Sequence, residues 1–173
     1  MRDEHFMANG QELPITLRGY TDWFARNERI GTIKSSVMEY CVGKLLTGLE
    51  TPYGALYRVG SEDMQLSDDG VRVDLRWTDW LACTNSSVRD AVSFPLRFGS
   101  WPAVVIFGLR DSAERWHPIL DLDAWDFYSV SGSILSEAYM GADRISLPAL
   151  LSLGPVWSDY NGIPDAIQQA MGA

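Results

Sequence analysis

The sequence has little cysteine and little histidine, with two of each in 173 residues. Cys41 and Cys83 are too few and too far apart for a metal knuckle or a disulfide scaffold, so we interpret both as buried thiols. His5 lies near the start of the chain, and His117 stands between two predicted strands, where packing is favoured over a role as general base. The familiar catalytic motifs are absent. We therefore expect a protein that is not an enzyme and needs no cofactor.

Long apolar runs are also missing from the sequence. The longest, Ala103 to Phe107, continues past Gly108 to Leu109, which is well short of the roughly 18 to 20 residues of a membrane helix. The first residues, Met1 to Phe6, carry charges of both signs and lack the apolar stretch of a secretory signal. We expect synthesis in the cytoplasm and no membrane partner.

Basic residues are outnumbered, with 14 Lys and Arg against 23 Asp and Glu and a net charge of −9. Such a field repels a phosphate backbone, so nucleic acid is not expected as a partner. The densest acidic segment contains Asp121, Asp123 and Asp126. These form a weak calcium candidate, because Ca²⁺ takes six to eight oxygen ligands and the segment supplies three. A solvated acidic edge is the favoured interpretation, and no metal is assigned.

Hydrophobic periodicity predicts one helix followed by strands. Apolar residues recur at helical spacing between 32 and 47, and Gly48 ends the pattern. Alternation then predicts short strands, at 55–59, 71–77, 91–96, 103–109, 116–122, 125–130 and 144–147. Strands without intervening helices favour a small antiparallel β-sandwich or jelly-roll-like domain. We expect a mainly β fold with one N-terminal amphipathic helix and extended terminal arms.

The ends of the chain differ from its centre in their hydrophobic pattern. This difference predicts an N-terminal arm at 1–30, a domain at 31–147 and a C-terminal extension at 148–173. A short helix is expected at 164–171. Aromatic residues of both ends are assigned to a subunit or partner interface because water would otherwise contact them; they are Tyr20, Trp23, Phe24, Trp157 and Tyr160. Deleting residues 1–28 is then expected to leave the domain folded and to abolish assembly.

The seven tryptophans are more than a small core needs. Burial in the core is the favoured interpretation for most of them. Burial between subunits comes next, and stacking on sugar rings comes last.

An ordered set of short motifs gives the sequence a specific resemblance. The motifs are Leu45-Leu46-Thr47-Gly48, Thr51-Pro52 leading into Ala55-Leu56-Tyr57-Arg58-Val59, Phe94-Pro95, Gly99-Ser100-Trp101-Pro102-Ala103-Val104-Val105-Ile106-Phe107-Gly108-Leu109-Arg110-Asp111-Ser112-Ala113, Gly132-Ser133-Ile134, and Met140 to Leu147. Over residues 32–147 this order is similar to that of the short tail-fibre-like virion proteins of tailed bacteriophages. The resemblance implies a virion structural protein without catalytic residues.

Three hypotheses for function follow. The first is a virion component of the tail, baseplate or fibre, or a capsid decoration, that binds neighbouring virion proteins and forms a homo-oligomer, for which a trimer is one form expected by analogy. The second is a carbohydrate-binding adhesin module that stacks exposed Trp and Tyr on host surface glycans. The third is a small acidic phage inhibitor that forms a stoichiometric complex with a basic host enzyme.

Overall fold

The computed structural model describes residues 3–26, 33–47, 63–65, 72–80, 92–96, 98, 100–111 and 120–172. The strands are β1 (His5–Ala8), β2 (Gln11–Thr16), β3 (Asp63–Gln65), β4 (Arg72–Trp80), β5 (Ser93–Pro95), β6 (Val104–Asp111), β7 (Trp125–Ser131), β8 (Arg144–Ser146) and β9 (Val156–Ser158). The helices are α1 (Leu17–Arg26), α2 (Ile33–Thr47), α3 (Gly132–Tyr139), α4 (Leu147–Ser152) and α5 (Ile163–Met171), and a 3₁₀ turn spans Leu122–Ala124.

A five-stranded sheet in the order β3-β4-β6-β7-β9 forms the centre of the fold. Strands β4 and β6 are parallel, and the other neighbours in this sheet are antiparallel. Two further pairs, β1 with β2 and β5 with β8, form small antiparallel sheets. The expectation of several strands is thus confirmed, but the mainly β fold is only partly so, because the described residues form five helices where one was expected. The all-antiparallel arrangement of a sandwich is not what the chain adopts.

The central strand β6 explains this difference. Val104, Val105, Ile106 and Phe107 are all 0% exposed, and such a continuous apolar run is typical of a strand covered on both faces. Val104 and Ile106 belong to one hydrophobic cluster, which we call the first core, whereas Val105 and Phe107 belong to another, the second core. The sheet therefore lies between two cores, and helices contribute to both.

The first core contains the N-terminal segment. Asn9 and Gly10, at the tip of the β1–β2 hairpin, have φ of 52° and 67°, as a type I′ turn requires. From helix α1, Tyr20 and Trp23 place their rings 5.6 Å and 5.3 Å from that of Tyr40 on α2. Residues 3–26 are therefore packed into the chain's own core, and the expected projecting arm is not formed.

The C-terminal segment is also integral to the fold. Strand β9 pairs with β7 in the central sheet, and Ile163 and Ile167 of α5 are buried in the first core. The Tyr160 hydroxyl donates a 2.5 Å hydrogen bond to the Cys41 carbonyl on α2. This segment consequently closes the first core rather than extending from it.

Several predicted elements are confirmed at their predicted places. Helix α2 matches 32–47, α5 matches 164–171, and β4, β5, β6, β7 and β8 match five of the predicted strands. The predicted strand at 55–59 and most of that at 116–122 lie outside the described residues, as do Cys83 and His117. Cys41 is buried, as predicted. No helix in the described part of the chain is long and apolar enough to cross a membrane.

Candidate binding surface

The residues predicted to form an interface separate into two groups in the structure. Tyr20, Trp23 and Tyr160 are buried in the first core, and Phe24 packs against it as a partly buried side chain. Contacts within the chain therefore cover these four side chains, and the argument from burial no longer requires a partner for them. Trp157 differs, because 60% of its surface is exposed. Its assignment to an interface stays a prediction.

Trp157 projects from the edge strand β9 in a fixed orientation. Its indole N–H donates a 2.8 Å hydrogen bond to the Asp126 carboxylate on β7. In the strand register it stands opposite Tyr128, whose side chain belongs to the second core. Residues paired in register share a face, so Trp157 lies on the second-core side of the sheet. It is an exposed aromatic ring that a polar contact already orients.

Other large apolar side chains are exposed on or near the same side. Met140 directly follows α3 and is 79% exposed, and Leu151 on α4 is 43% exposed; both helices contribute buried residues to the second core. Met171, at the end of α5, is 36% exposed and lines an open cleft beside α3. Among the described residues, these and Trp157 are the exposed large apolar side chains.

Trp101 forms a wall between two adjacent cavities, which together we call the Trp101 cleft. The smaller has a volume of about 260 Å³ and is lined by Leu96, Phe98, Trp101, Gly141, Ala142 and Asp143. The larger, more open one has a volume of about 640 Å³, and its lining includes Trp101, Ser131, Ser133, Ser136 and Met171. The cleft therefore combines an aromatic wall with hydroxyl groups and one carboxylate.

A close backbone approach positions the Trp101 segment. The Gly132 N–H at the start of α3 donates a 2.8 Å hydrogen bond to the Ala103 carbonyl. A Cβ atom at position 132 would lie 1.7 Å from the Pro102 carbonyl oxygen, so glycine is required for this contact. The main chain beside Trp101 is consequently held against the N-terminus of α3.

A buried ion pair lies against Phe98, the ring that contacts Trp101. The Phe98 and Trp101 rings lie 4.7 Å apart, and the Arg76 guanidinium lies 4.7 Å from the Phe98 ring centroid. Arg76 also contacts the Asp74 carboxylate at 2.7 Å, with side chains 4% and 0% exposed. Burial lowers the pKa of Arg76 to about 10, so its charge persists at neutral pH and the cation–π contact is retained.

The three aspartates of the weak calcium candidate hold different partners. Asp121 accepts a hydrogen bond from the Asp123 N–H, and Asp123 accepts from the Asn9 and Gly10 N–H groups at 2.6 Å and 3.2 Å. Asp126 accepts from the Trp157 indole. Within the described ranges, no cluster of three or more His, Cys, Asp or Glu could hold a metal ion. These carboxylates cap a turn, fix the hairpin tip and orient Trp157.

Helix α2 carries a partly buried acid, Glu39, that the sequence did not single out. Burial raises the pKa of Glu39 on α2 from 4.5 to about 7, and its Oε2 atom has no hydrogen-bond partner within the described part of the chain. Burial also raises the pKa values of the neighbouring Cys41 and of Tyr160 above their usual ranges. A thiol with a raised pKa is a poor nucleophile, so this environment does not favour covalent chemistry at Cys41.

Sequence reasoning also missed the contacts that position Trp101. The segment Gly99-Ser100-Trp101-Pro102 has the composition of a turn, but its contact with Gly132 joins residues about 30 positions apart and has no local signal. Comparison with known proteins finds no matching family model, no similar curated protein and no similar solved structure. The resemblance to phage tail-fibre-like proteins thus rests on the motifs quoted above.

Proposed function

We propose that this chain is a non-enzymatic structural protein of a bacteriophage particle that acts through protein–protein contacts. It would belong to the tail, the baseplate or a fibre, or decorate the capsid. The order of motifs over residues 32–147 supports the virion context. The observation that carries the proposal is the placement of exposed large apolar side chains on or near the second-core side of the sheet.

Trp157 is the best anchor for such a contact. Tryptophan is enriched among the residues that dominate interface energies, especially at positions that become fully desolvated. The hydrogen bond from its indole to Asp126 at 2.8 Å fixes the ring before binding, which lowers the entropy lost on association. Met140 and Leu151 supply flexible apolar surface on the same side, and methionine adapts readily to a partner's shape.

The partners we propose are further copies of this chain and neighbouring virion proteins. Assemblies of identical subunits are usually closed and symmetric, which favours a homo-oligomer. Each large apolar side chain that becomes fully buried in such an interface would contribute about 1.5–3 kcal/mol. The exposed side chains named above can therefore contribute to such a contact, and the acidic net charge of −9 favours neighbouring virion proteins that carry basic residues.

The test replaces the anchor and measures assembly. Trp157→Ala should weaken self-association by about tenfold or more, measured by light scattering over a concentration series, and should reduce co-sedimentation with purified virions. Glu12→Ala is the matched control, because Glu12 is exposed on the hairpin that packs against the first core.

Three outcomes would contradict the proposal. One is a wild-type chain that stays monomeric and does not bind virions. Another is a Trp157→Ala chain that assembles as the wild type does. The third is a stoichiometric complex with a basic host enzyme that survives this substitution, which would favour the inhibitor hypothesis instead.

A further inference from the structure

We propose that the Trp101 cleft is a binding site for a neutral saccharide, separate from the assembly contact at Trp157. The first argument is its construction around a shared aromatic wall. A pyranose ring has an apolar face of C–H groups and an edge of hydroxyl groups, so it needs an aromatic surface with hydrogen-bonding groups at its margin. Trp101 provides that surface to both cavities, whose volumes of about 260 Å³ and 640 Å³ suit one or a few sugar rings.

The second argument is that the wall is fixed before any ligand arrives. Phe98 packs against Trp101, Arg76 lies over Phe98, and the Gly132 contact holds the main chain of Pro102 and Ala103. A partly buried indole that packs against an aromatic ring, next to a main chain held by a glycine contact, loses little freedom on binding. Preorganisation of this kind raises affinity without adding contacts.

The third argument comes from the hydroxyl groups at the margin. The Ser131 and Ser133 hydroxyl oxygens lie 2.7 Å apart, and Ser136 donates to the Ser133 carbonyl at 2.9 Å. Because a hydroxyl carries one donor and two acceptor positions, the pair retains acceptor positions and one O–H group after its internal hydrogen bond. The Ser131 side chain does not cap α3. These groups match the mixed donors and acceptors of sugar hydroxyls.

The net charge of the chain favours a neutral ligand. The chain as a whole carries −9, so its long-range field is acidic. A nucleotide could also stack its base on Trp101, but its phosphates would meet that acidic field. A neutral saccharide brings no such penalty.

The experiment uses the full chain with three named probes: maltotriose, cellotriose and triacetylchitotriose at millimolar concentrations. The readout is the set of tryptophan indole N–H signals in a two-dimensional NMR spectrum, with the Trp101 signal assigned from Trp101→Phe. At least one probe should shift that signal in a saturable manner. Trp101→Ala should weaken binding of the same probe by about tenfold or more, whereas Trp157→Ala should bind it as the wild type does.

Ser133→Ala provides a second variant in case Trp101→Ala does not fold. Ser133 is exposed, so removal of its hydroxyl leaves the aromatic wall intact and should weaken binding by about threefold. The proposal is overturned if none of the three probes shifts the Trp101 signal, or if a probe shifts only the Trp157 signal. It is also overturned if Trp101→Ala impairs attachment to virions while the probes do not bind, because the cleft would then hold a protein side chain. Attachment to virions is tested with Trp157→Ala, and saccharide binding is tested with Trp101→Ala and Ser133→Ala. Either proposal can therefore fail while the other stands.

Discussion

The two sides of the central sheet carry different kinds of side chains. On the first-core side, aromatic residues from both ends of the chain are buried, and the hairpin tip is tied to Asp123 and Asp159. The second-core side is built from α3, α4 and the β5–β8 pair, and it exposes Met140, Leu151 and Trp157. Tryptophan therefore has opposite roles on the two sides. Trp23 is 7% exposed in the first core, whereas Trp157 is 60% exposed.

The difference teaches that aromatic content alone does not identify a binding surface. The first core uses Trp23 and its tyrosines to join helices that come from different parts of the sequence. The second core also buries Phe94, Phe107 and Tyr128, but its side of the sheet leaves Trp157 exposed and orients that ring by a polar contact with Asp126. We expect substitutions of buried residues to change stability on either side, and substitutions of the exposed side chains of the second side to change binding. The predictions below test that division.

The largest effect is expected from deletion of residues 1–28. The segment contributes Phe6, Ile15, Tyr20 and Trp23 to the first core, each at most 7% exposed, and loss of each such group costs about 3–5 kcal/mol. Their sum exceeds the stability of a typical domain. The truncated chain should therefore lose its cooperative unfolding transition, measured by circular dichroism in urea, contrary to the expectation from sequence. A retained transition would make the segment dispensable.

The next effect is expected at Gly132. Gly132→Ala places a Cβ 1.7 Å from the Pro102 carbonyl oxygen, so the main chain must move, at a cost of about 3 kcal/mol in the free energy of unfolding. Gly172→Ala is the control, because its Cβ would meet its nearest atoms at 3.7 Å. Urea denaturation of both variants gives the comparison. Equal stabilities for the two would contradict the close approach.

Glu39 should make stability depend on pH. Its pKa is about 7 in the folded chain against an ordinary 4.5, so the folded state retains a proton that the unfolded state loses. The contribution of Glu39 to the free energy of unfolding is therefore largest below about pH 4.5. It falls by about 2–3 kcal/mol as the pH rises through 7. Glu39→Gln should remove this fall between pH 5 and pH 8, measured by urea denaturation. Glu12→Gln, at an exposed position, should retain it, and an unchanged slope in Glu39→Gln would refute the assignment.

A smaller effect is expected for the hydroxyl group that joins α2 to the C-terminal segment. Tyr160→Phe removes the donor to the Cys41 carbonyl and should lower the free energy of unfolding by about 1 kcal/mol. Tyr139→Phe removes a hydroxyl from a half-buried tyrosine on the second side, and should change stability by less than about 0.5 kcal/mol. Similar losses in both variants would remove the distinction between the sides.

The smallest effect on stability should come from Trp157. Trp157→Ala removes an exposed ring and should change the free energy of unfolding by less than about 0.5 kcal/mol, whereas Trp23→Ala in the first core should cost about 3–5 kcal/mol. Thermal unfolding of the two variants provides the measurement. A large loss in Trp157→Ala would mean that its ring supports the fold, and its effect on assembly could then not be read as a binding contact.

Local patterns predicted much of the secondary structure and little of the arrangement. Helical spacing identified α2, and strict alternation identified β4, because both signals depend on neighbouring residues. Asn9-Gly10 is a strong hairpin signal, but the strands beside it, His5–Ala8 and Gln11–Thr16, are mixed in polarity and lack a clear period. The parallel pairing of β4 with β6 depends on contacts across the fold, which no local pattern specifies.

The candidate site was less predictable than the fold for the same reason. Trp157 could be proposed from its type, but whether a tryptophan is buried depends on what packs over it, as Trp23 demonstrates. The Trp101 cleft needs Gly132 to meet Pro102 and Arg76 to lie over Phe98. These contacts exist only once the sheet and α3 are assembled.

The attachment of the hairpin tip has a consequence for how the chain is made. Asn9 is hydrogen-bonded to Asp123 and Asp159, which follow it by 114 and 150 positions. On the ribosome, the hairpin is synthesised before these partners and must wait until they emerge. High contact order of this kind slows folding and prolongs exposure of apolar surface. Newly made chains should therefore be most vulnerable to aggregation and proteolysis just before β9 and α5 leave the exit tunnel.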